Sequence, residues 1–201
     1  MNKLSNPLNR QWFYRGFRKY MEEDMSVEQA EKIWMEAGKE YQSILYQDSK
    51  IKKHKGSMVL PAVALYRVLK RHNRDVSLLN EYGAKMGKSF GKAVHIFTSI
   101  PGVSNLIWKH AATLADTMSS EKKGYKRKLV NEGDTVGVDI LSCPYHELAK
   151  ALGNEKAVLC ICAMDKEYSK GFHHIRYDRN SSLGEGDDNC MYRLKYDSNK
   201  K

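Results

Sequence analysis

Residues 135–152 read TVGVDILSCPYHELAKAL, and the fold turns on the change of period inside them. Val136, Val138 and Ile140 alternate with Thr135, Gly137 and Asp139, the period of a half-buried strand. At Pro144 the alternation stops. Proline has a fixed φ and no N–H, which suits it to the first turn of a helix. A short helix is therefore expected from Pro144 to about Leu152. A strand feeding a short helix, after a long stretch of helical periodicity, points to an α+β fold.

Working outward, Asn131–Asp134 reads as a turn and Lys126–Val130 as a partner strand. The polar, basic run Ser119–Lys128 reads as an exposed connection. Downstream, Asn154 is expected to cap a helix from Glu155 to about Tyr168, followed by a strand at Phe172–Asp178. Ser181–Asn189 is rich in Gly, Ser and Asp and reads as a turn region. The last strand carries Cys190, Tyr192, Leu194 and Tyr196 on one face, with Met191, Arg193 and Lys195 on the other.

Upstream, Ser26 and Gln29 have the spacing of a capping box. Behind them Val27, Ala30, Ile33, Trp34, Ala37, Tyr41 and Leu45 recur at helical spacing. Gln47–Gly56 is polar and Lys-rich and is expected to be a loop. Pro61 opens a further helix with Leu65, Val68 and Leu69 on its stripe, and Asn73–Asp75 break it. The next helix runs through Val76, Leu79, Tyr82, Met86, Phe90 and Val94. Its Gly83, Gly87 and Gly91 line one face, a groove for the close approach of a helix of this chain or of a second copy. Lys85, Lys88 and Lys92 exclude a membrane span there. Pro101-Gly102 mark a turn, and Leu106, Trp108, Ala112 and Leu114 suggest one helix ending near Met118. The expected fold is a helical N-terminal region packed on a C-terminal mixed region with a small antiparallel sheet and two short helices. Residues 1–57 form an N-terminal helical segment; residues 58–198 form a domain, helical over 58–118 and α+β over 119–198.

With 201 residues and 41% hydrophobic content the chain can bury a core. It has no apolar run of the roughly 20 residues that span a bilayer. Met1–Arg18 lacks the apolar centre of a signal peptide, so the chain reads as cytoplasmic with no membrane partner. The net charge of +10 comes from scattered clusters at Lys50–Lys55, Arg67–Arg74, Lys122–Lys128 and Lys195–Lys201. None has the signature of a nucleic-acid module, and a basic solvated surface explains them better than a nucleic-acid partner. G-x-S-x-G, Walker, G-x-G-x-x-G and H-E-x-x-H motifs are absent.

All four cysteines, Cys143, Cys160, Cys162 and Cys190, lie beyond residue 142. In a reducing compartment that distribution suggests catalysis or metal binding before disulfides. Cys143 and His146 form C-P-x-H at a helix start, where free N–H groups and the helix dipole favour thiolate. One turn on, His146 can take the proton. The plain alternative is a buried cysteine beside a surface histidine. Cys162 and Asp165 are one turn apart on the next helix; if that helix covers the start of the Cys143 helix, the four side chains converge. Cys160 points away and reads as core. Cys190 opens the last strand, and Asp187 before it either binds a cationic nitrogen or does ordinary turn work. Of His173 and His174, expected on opposite strand faces, one can reach the site. Arg176 shares the face of His174 and can clamp a carboxylate or pair across strands. His54, His72, His95 and His110 have no clustered partner. Thiolates with an imidazole also make a zinc or iron ligand set, although C-x-x-H followed by isolated cysteines is no standard spacing.

Taken together, Cys143-Pro144-Tyr145-His146, Cys162-x-x-Asp165, Arg176 and Gly186-Asp187-Asp188-x-Cys190 resemble the L-2-amino-thiazoline-4-carboxylic acid hydrolase family. So do the run from Pro61 through Tyr66 to Leu69 and Ile100-Pro101-Gly102, over about Met58–Tyr196. The resemblance implies a hydrolase, without a required cofactor, that opens a cyclic amidine; the family's named reaction yields N-carbamoyl-L-cysteine. It implies catalysis at Cys143, His146, Cys162, Asp165 and Cys190, with Arg176, Asp187 and His174 binding a small-molecule substrate. The chain departs from the family pattern after Arg176, where Tyr177-Asp178-Arg179 stand in place of Thr and small residues. A second class, a small-molecule or metal-binding module without turnover, uses the same cluster.

Overall fold

In the computed structural model, which describes residues 6–47 and 58–200, the first long helix begins where Ser26 predicts it. The Ser26 hydroxyl accepts the Gln29 backbone N–H at 3.3 Å. The Gln29 side chain does not reach back; its carbonyl oxygen accepts from Arg74 instead. A short helix α1 (Phe17–Met21) precedes α2 (Val27–Gln47). On α2 the expected residues Ala30, Ile33, Trp34, Ala37 and Tyr41 are buried, while Val27 is exposed and Leu45 half-buried. From Tyr41 the apolar stripe steps three residues to Ile44 rather than four to Leu45. The rest of the loop expected after Gln47, with His54, lies outside the described residues.

Helix α3 (Val59–Arg71) carries Pro61 in its first turn and is buried almost all round over Val59–Leu65. Its Arg67 leaves the apolar part, bonding Glu40 at 3.0 Å and the Leu152 carbonyl at 2.6 Å. Asn73 ends this stretch in a left-handed turn. Asp75 then accepts the Ser77 N–H, opening α4 (Ser77–Thr98). His72 does have a carboxylate partner, Glu36 at 2.9 Å, one turn of α2 that only folding brings near.

The described residues fall into two compact units: those up to Gly83 with Leu148–Ile161, and Ala84–Glu147 with Cys162–Lys200. In the second unit α5 (Val103–Lys109) and α6 (Ala111–Met118) replace the single helix expected there. The break falls at His110, which ends one helix and starts the next without a proline or glycine to announce it. Next come β1 (Lys126–Glu132), β2 (Thr135–Ser142), α7 (Pro144–Ala151), α8 (Leu159–Ser169), β3 (Ile175–Arg179) and β4 (Cys190–Tyr196). The hairpin turn is only Gly133-Asp134, because β1 runs on to Glu132. A 3-10 turn over Glu155–Val158 precedes α8. Asn154 does not cap it; its amide donates back to the Leu152 carbonyl.

The sheet is wholly antiparallel in the order β1-β2-β4-β3. The chain is α+β, as its periodicities imply. Helix α8 lies along the glycine stripe of α4: Gly83 faces the Cys160 backbone, Gly87 faces Met164 and Glu167, and Gly91 faces Glu167 and Tyr168. The groove expected from those glycines is thus filled by a helix of the same chain. No described helix is long and apolar enough to cross a membrane.

Candidate active site

Strand register decides which side chains meet. Ile140 pairs with Cys190, Val138 with Tyr192 and Val136 with Leu194. On the other side of β4, Leu194 pairs with Tyr177 and Tyr192 with Arg179. Paired residues share a face, so one face carries Val138, Ile140, Cys190, Tyr192, Tyr177 and Arg179. Arg176 alternates to the opposite face, where its side chain is 61% exposed and pairs with Asp178 at 3.3 Å. The guanidinium on the site face is that of Arg179, which the sequence reading passed over as part of a departure from a family pattern.

Arg179 is 4% exposed, and each of its three nitrogens has a hydrogen-bond acceptor. It bonds the Cys162 carbonyl at 3.3 Å, the Ser182 hydroxyl at 2.9 Å and the Ser181 carbonyl at 3.4 Å. The same Nη2 lies 3.7 Å from the Cys190 sulfur, and the guanidinium carbon sits 4.9 Å over the Tyr192 ring. Its Nη1 is 3.9 Å from Asp165. A planar fork of five donors suits this many-sided role, and a lysine does not. Burial works against the charge, but Tyr192 and Cys162 beside it prevail and raise the Arg179 pKa, so the cation persists.

Helix α8 supplies one stripe to this centre, Cys162, Asp165 and Tyr168 at successive turns. Asp165 faces a cavity of about 330 Å3 whose walls are mostly apolar, built from Ile107, Leu114, Met118, Val138, Phe172 and their neighbours. The 29% exposure left to its side chain opens into that space. The volume is at the lower end of the about 300–1,000 Å3 of small-molecule pockets. The polar character of the lining comes chiefly from Asp165 and from Tyr125, Tyr168, Tyr177 and Tyr192, with Ser119 and Ser169 beside them. Tyr168 and Tyr192 lie beside the Asp165 carboxylate and work to lower its pKa. The Tyr177 hydroxyl is shut off from solvent and has no partner among the described residues.

These environments move proton affinities in one direction. Burial raises the Asp165 pKa above the usual carboxylate value, and Arg179 with the two tyrosines only partly offsets it. Burial pushes Tyr168 up to about 12 and lifts Tyr125, Tyr177 and Tyr192 further, so all four remain neutral hydroxyl donors. The thiols follow. Cys162 is pushed up to about 11, again by burial. At Cys143 the N–H groups of His146 and Tyr145 do point at the sulfur, as a helix start predicts, yet burial outweighs them and the pKa rises. The expected thiolate is therefore not favoured.

Of the residues singled out in the sequence, Cys143, Cys162, Asp165 and Cys190 gather around Arg179. Cys143 packs with Val138, Ile140 and Cys190 in the small core beneath the sheet. The Nδ1 of His146 lies 3.8 Å from Glu147 and makes no hydrogen bond to the Cys143 thiol among the described residues. Asp187 accepts the Ser182 N–H at 2.7 Å, which is turn work. His173 and His174 precede β3 rather than lying on its two faces, because His174 takes a left-handed conformation; their rings are 3.8 Å apart. Neither lines the cavity. Cys160 is buried against Tyr14, as its core reading predicts. No three or more His, Cys, Asp and Glu side chains among the described residues come together as a metal ligand set. Tyr192 could have been found from the parity of β4 and Tyr168 from its place one turn beyond Asp165; Tyr177 and Arg179 needed the register of β3.

Among solved structures, the chain is 15% identical to a trafficking protein particle complex subunit 3 from Naegleria fowleri covalently bound to palmitic acid. That likeness has a TM-score of 0.41 and covers 76% of this chain and 99% of that one. It is 14% identical to an H-NOX protein from S. oneidensis in its Fe(II)NO state, with a TM-score of 0.38, over 90% of this chain and 98% of that one. Likenesses this faint do not bear on the chemistry of the cavity. No curated protein matches the sequence. The model of the L-2-amino-thiazoline-4-carboxylic acid hydrolase family matches residues 52–194. That span takes in the cavity, the Arg179 centre and nearly the whole of β4, and the chain belongs to the L-2-amino-thiazoline-4-carboxylic acid hydrolase family.

Proposed function

We propose that the chain is a hydrolase that adds water to the amidine carbon of a cyclic amidine, the class that includes L-2-amino-thiazoline-4-carboxylate. The observation that carries this reading is a single carboxylate, Asp165, inside an apolar, tyrosine-lined cavity of a chain of this family. Protonated on nitrogen, an amidine carbon is a better electrophile, and a carboxylate is the group that holds such a nitrogen. Water forms a bond to that carbon and becomes the oxygen of the new carbonyl. The C–S bond of a thiazoline ring breaks, the sulfur takes one of the water protons and the nitrogen keeps the other. For the named compound the product is N-carbamoyl-L-cysteine. Asp165, its pKa raised by burial, is the group placed to accept and return a proton. Burial raises the pKa of the Cys143 and Cys162 thiols, and Cys190 packs with Val138 and Ile140. Water is thus the nucleophile rather than a thiolate.

The test is thiol release from L-2-amino-thiazoline-4-carboxylate and from 2-amino-2-thiazoline, followed with a colorimetric reagent. Wild type should release thiol from at least one of them. Asp165→Asn should lose about a hundredfold or more, and Cys143→Ala should stay within a few-fold of wild type. A Cys143→Ala protein that is folded and inactive moves the nucleophile to that thiol. Binding of either compound without any release makes the chain a binding module instead.

A further inference from the structure

We infer that the cavity is built for an organic cation with an apolar body and no carboxylate. The inference rests on reading this cavity as the active centre. Among the described residues its lining holds one acid, Asp165, and no Lys, Arg or His. The nearest guanidinium, Arg179, is 4% exposed and has its donors committed to Cys162, Ser181 and Ser182. Arg176, the residue expected to clamp a carboxylate, is on the other face of the sheet and paired with Asp178. A ligand carboxylate entering this space meets a like charge and no free cation, in surroundings where water screens little.

A cation finds the reverse. Asp165 offers the countercharge. Tyr125, Tyr168, Tyr177 and Tyr192 offer ring faces and edges around it, and tyrosine faces attract ammonium and amidinium groups. The remaining wall, from Ile107, Leu114, Met118 and Phe172 among others, fits a hydrocarbon or ring body. The substrate class this assigns is an amidine with an apolar substituent, rather than the amino acid for which the family is named.

Calorimetry on the full chain with three probes of one shape tests this. Benzamidine is a cation, benzamide is its neutral counterpart, and 4-amidinobenzoate adds a carboxylate to the same body. Benzamidine should bind, with each of the other two weaker by roughly tenfold or more. Benzamidine stays protonated from neutral into acid solution, so its affinity should also fall in acid as Asp165 takes up a proton. The groups facing Asp165 are Arg179, Tyr125, Tyr168, Tyr177 and Tyr192, and none of them titrates in that range. This second measurement needs no variant. Equal binding of all three, tighter binding of the carboxylate probe, or no binding of benzamidine overturns the inference. Cation-selective binding with no turnover of 2-amino-2-thiazoline leaves the inference standing and removes the hydrolase reading.

Discussion

Asp165 carries both the proposed chemistry and a stability cost that can be read from its environment. Burial raises its pKa in the folded protein. The folded state therefore keeps a proton over a pH window in which the unfolded chain has already released it. By linkage, stability falls as pH rises from the ordinary carboxylate pKa through the raised one, and the loss persists above it. Asp165→Asn removes that loss. Its melting temperature should exceed that of wild type at neutral pH, and the gain should shrink in acid, while turnover drops. A lower melting temperature at neutral pH would show that attraction to Arg179 and the neighbouring tyrosines outweighs burial. Arg179 has the opposite balance. Arg179→Met strands the Cys162 carbonyl and the Ser182 hydroxyl and removes the cation beside Asp165, so it should cost on the order of 3 kcal/mol in urea unfolding. Arg179→Lys keeps the charge without the planar fork and should fall between the two. A neutral Arg179→Met variant would remove Arg179 from the centre described here.

At the scale of elements, the site depends on how closely α8 lies to α4. A Cβ at Gly87 would collide with the Met164 carbonyl and the Glu167 side chain. Alanine in place of a mid-helix glycine gains about 1 kcal/mol in propensity, whereas overpacking against backbone costs about 1–3 kcal/mol. Because the neighbours include a main-chain oxygen that cannot swing aside, the second effect should prevail. Gly87→Ala is expected to lower the melting temperature and, by moving the helix that holds Asp165, to reduce turnover in a folded protein. An unchanged or raised melting temperature would show that α8 can shift at little cost. The glycine spacing was legible in the sequence because it recurs every four residues. Its partner was not, since α8 is some seventy residues away along the chain. The split between α5 and α6 at His110 was hidden for a different reason: no residue there breaks a helix by its own propensity.

Across the whole molecule, the three thiols that look in sequence like part of a metal set are arranged around a cation instead. A zinc or iron centre that held the fold together would make the protein sensitive to chelators. The expected result is a melting temperature unchanged by prolonged dialysis against EDTA, with metal content on the same samples far below one per chain. Coincident loss of metal and of stability would contradict the arrangement of Arg179 among the thiols. The division into units also appears only at this scale. The first unit takes back Leu148–Ile161 from beyond the sheet hairpin, so α4, α7 and α8 each begin in one unit and end in the other. No change of composition marks those crossings, because a helix passing between two compact units keeps its periodicity.

The sequence by itself determined what depends on neighbours a few residues apart. Val136, Val138 and Ile140 specify a strand, Pro144 opens a helix, Ser26 caps another, and Cys162, Asp165 and Tyr168 share a helix face. The same local logic separated the two faces of β4. Tertiary structure decided what depends on partners distant in the chain. It chose Arg179 over Arg176, because the parity of β3 follows from which residue of β4 each one opposes. It kept His146 from Cys143, because spacing along a helix does not fix where two side chains point. It also set the proton affinities of Asp165 and Cys143, since burial is a property of everything packed around a group, and at both positions burial outweighs the charges and dipoles that the sequence makes visible.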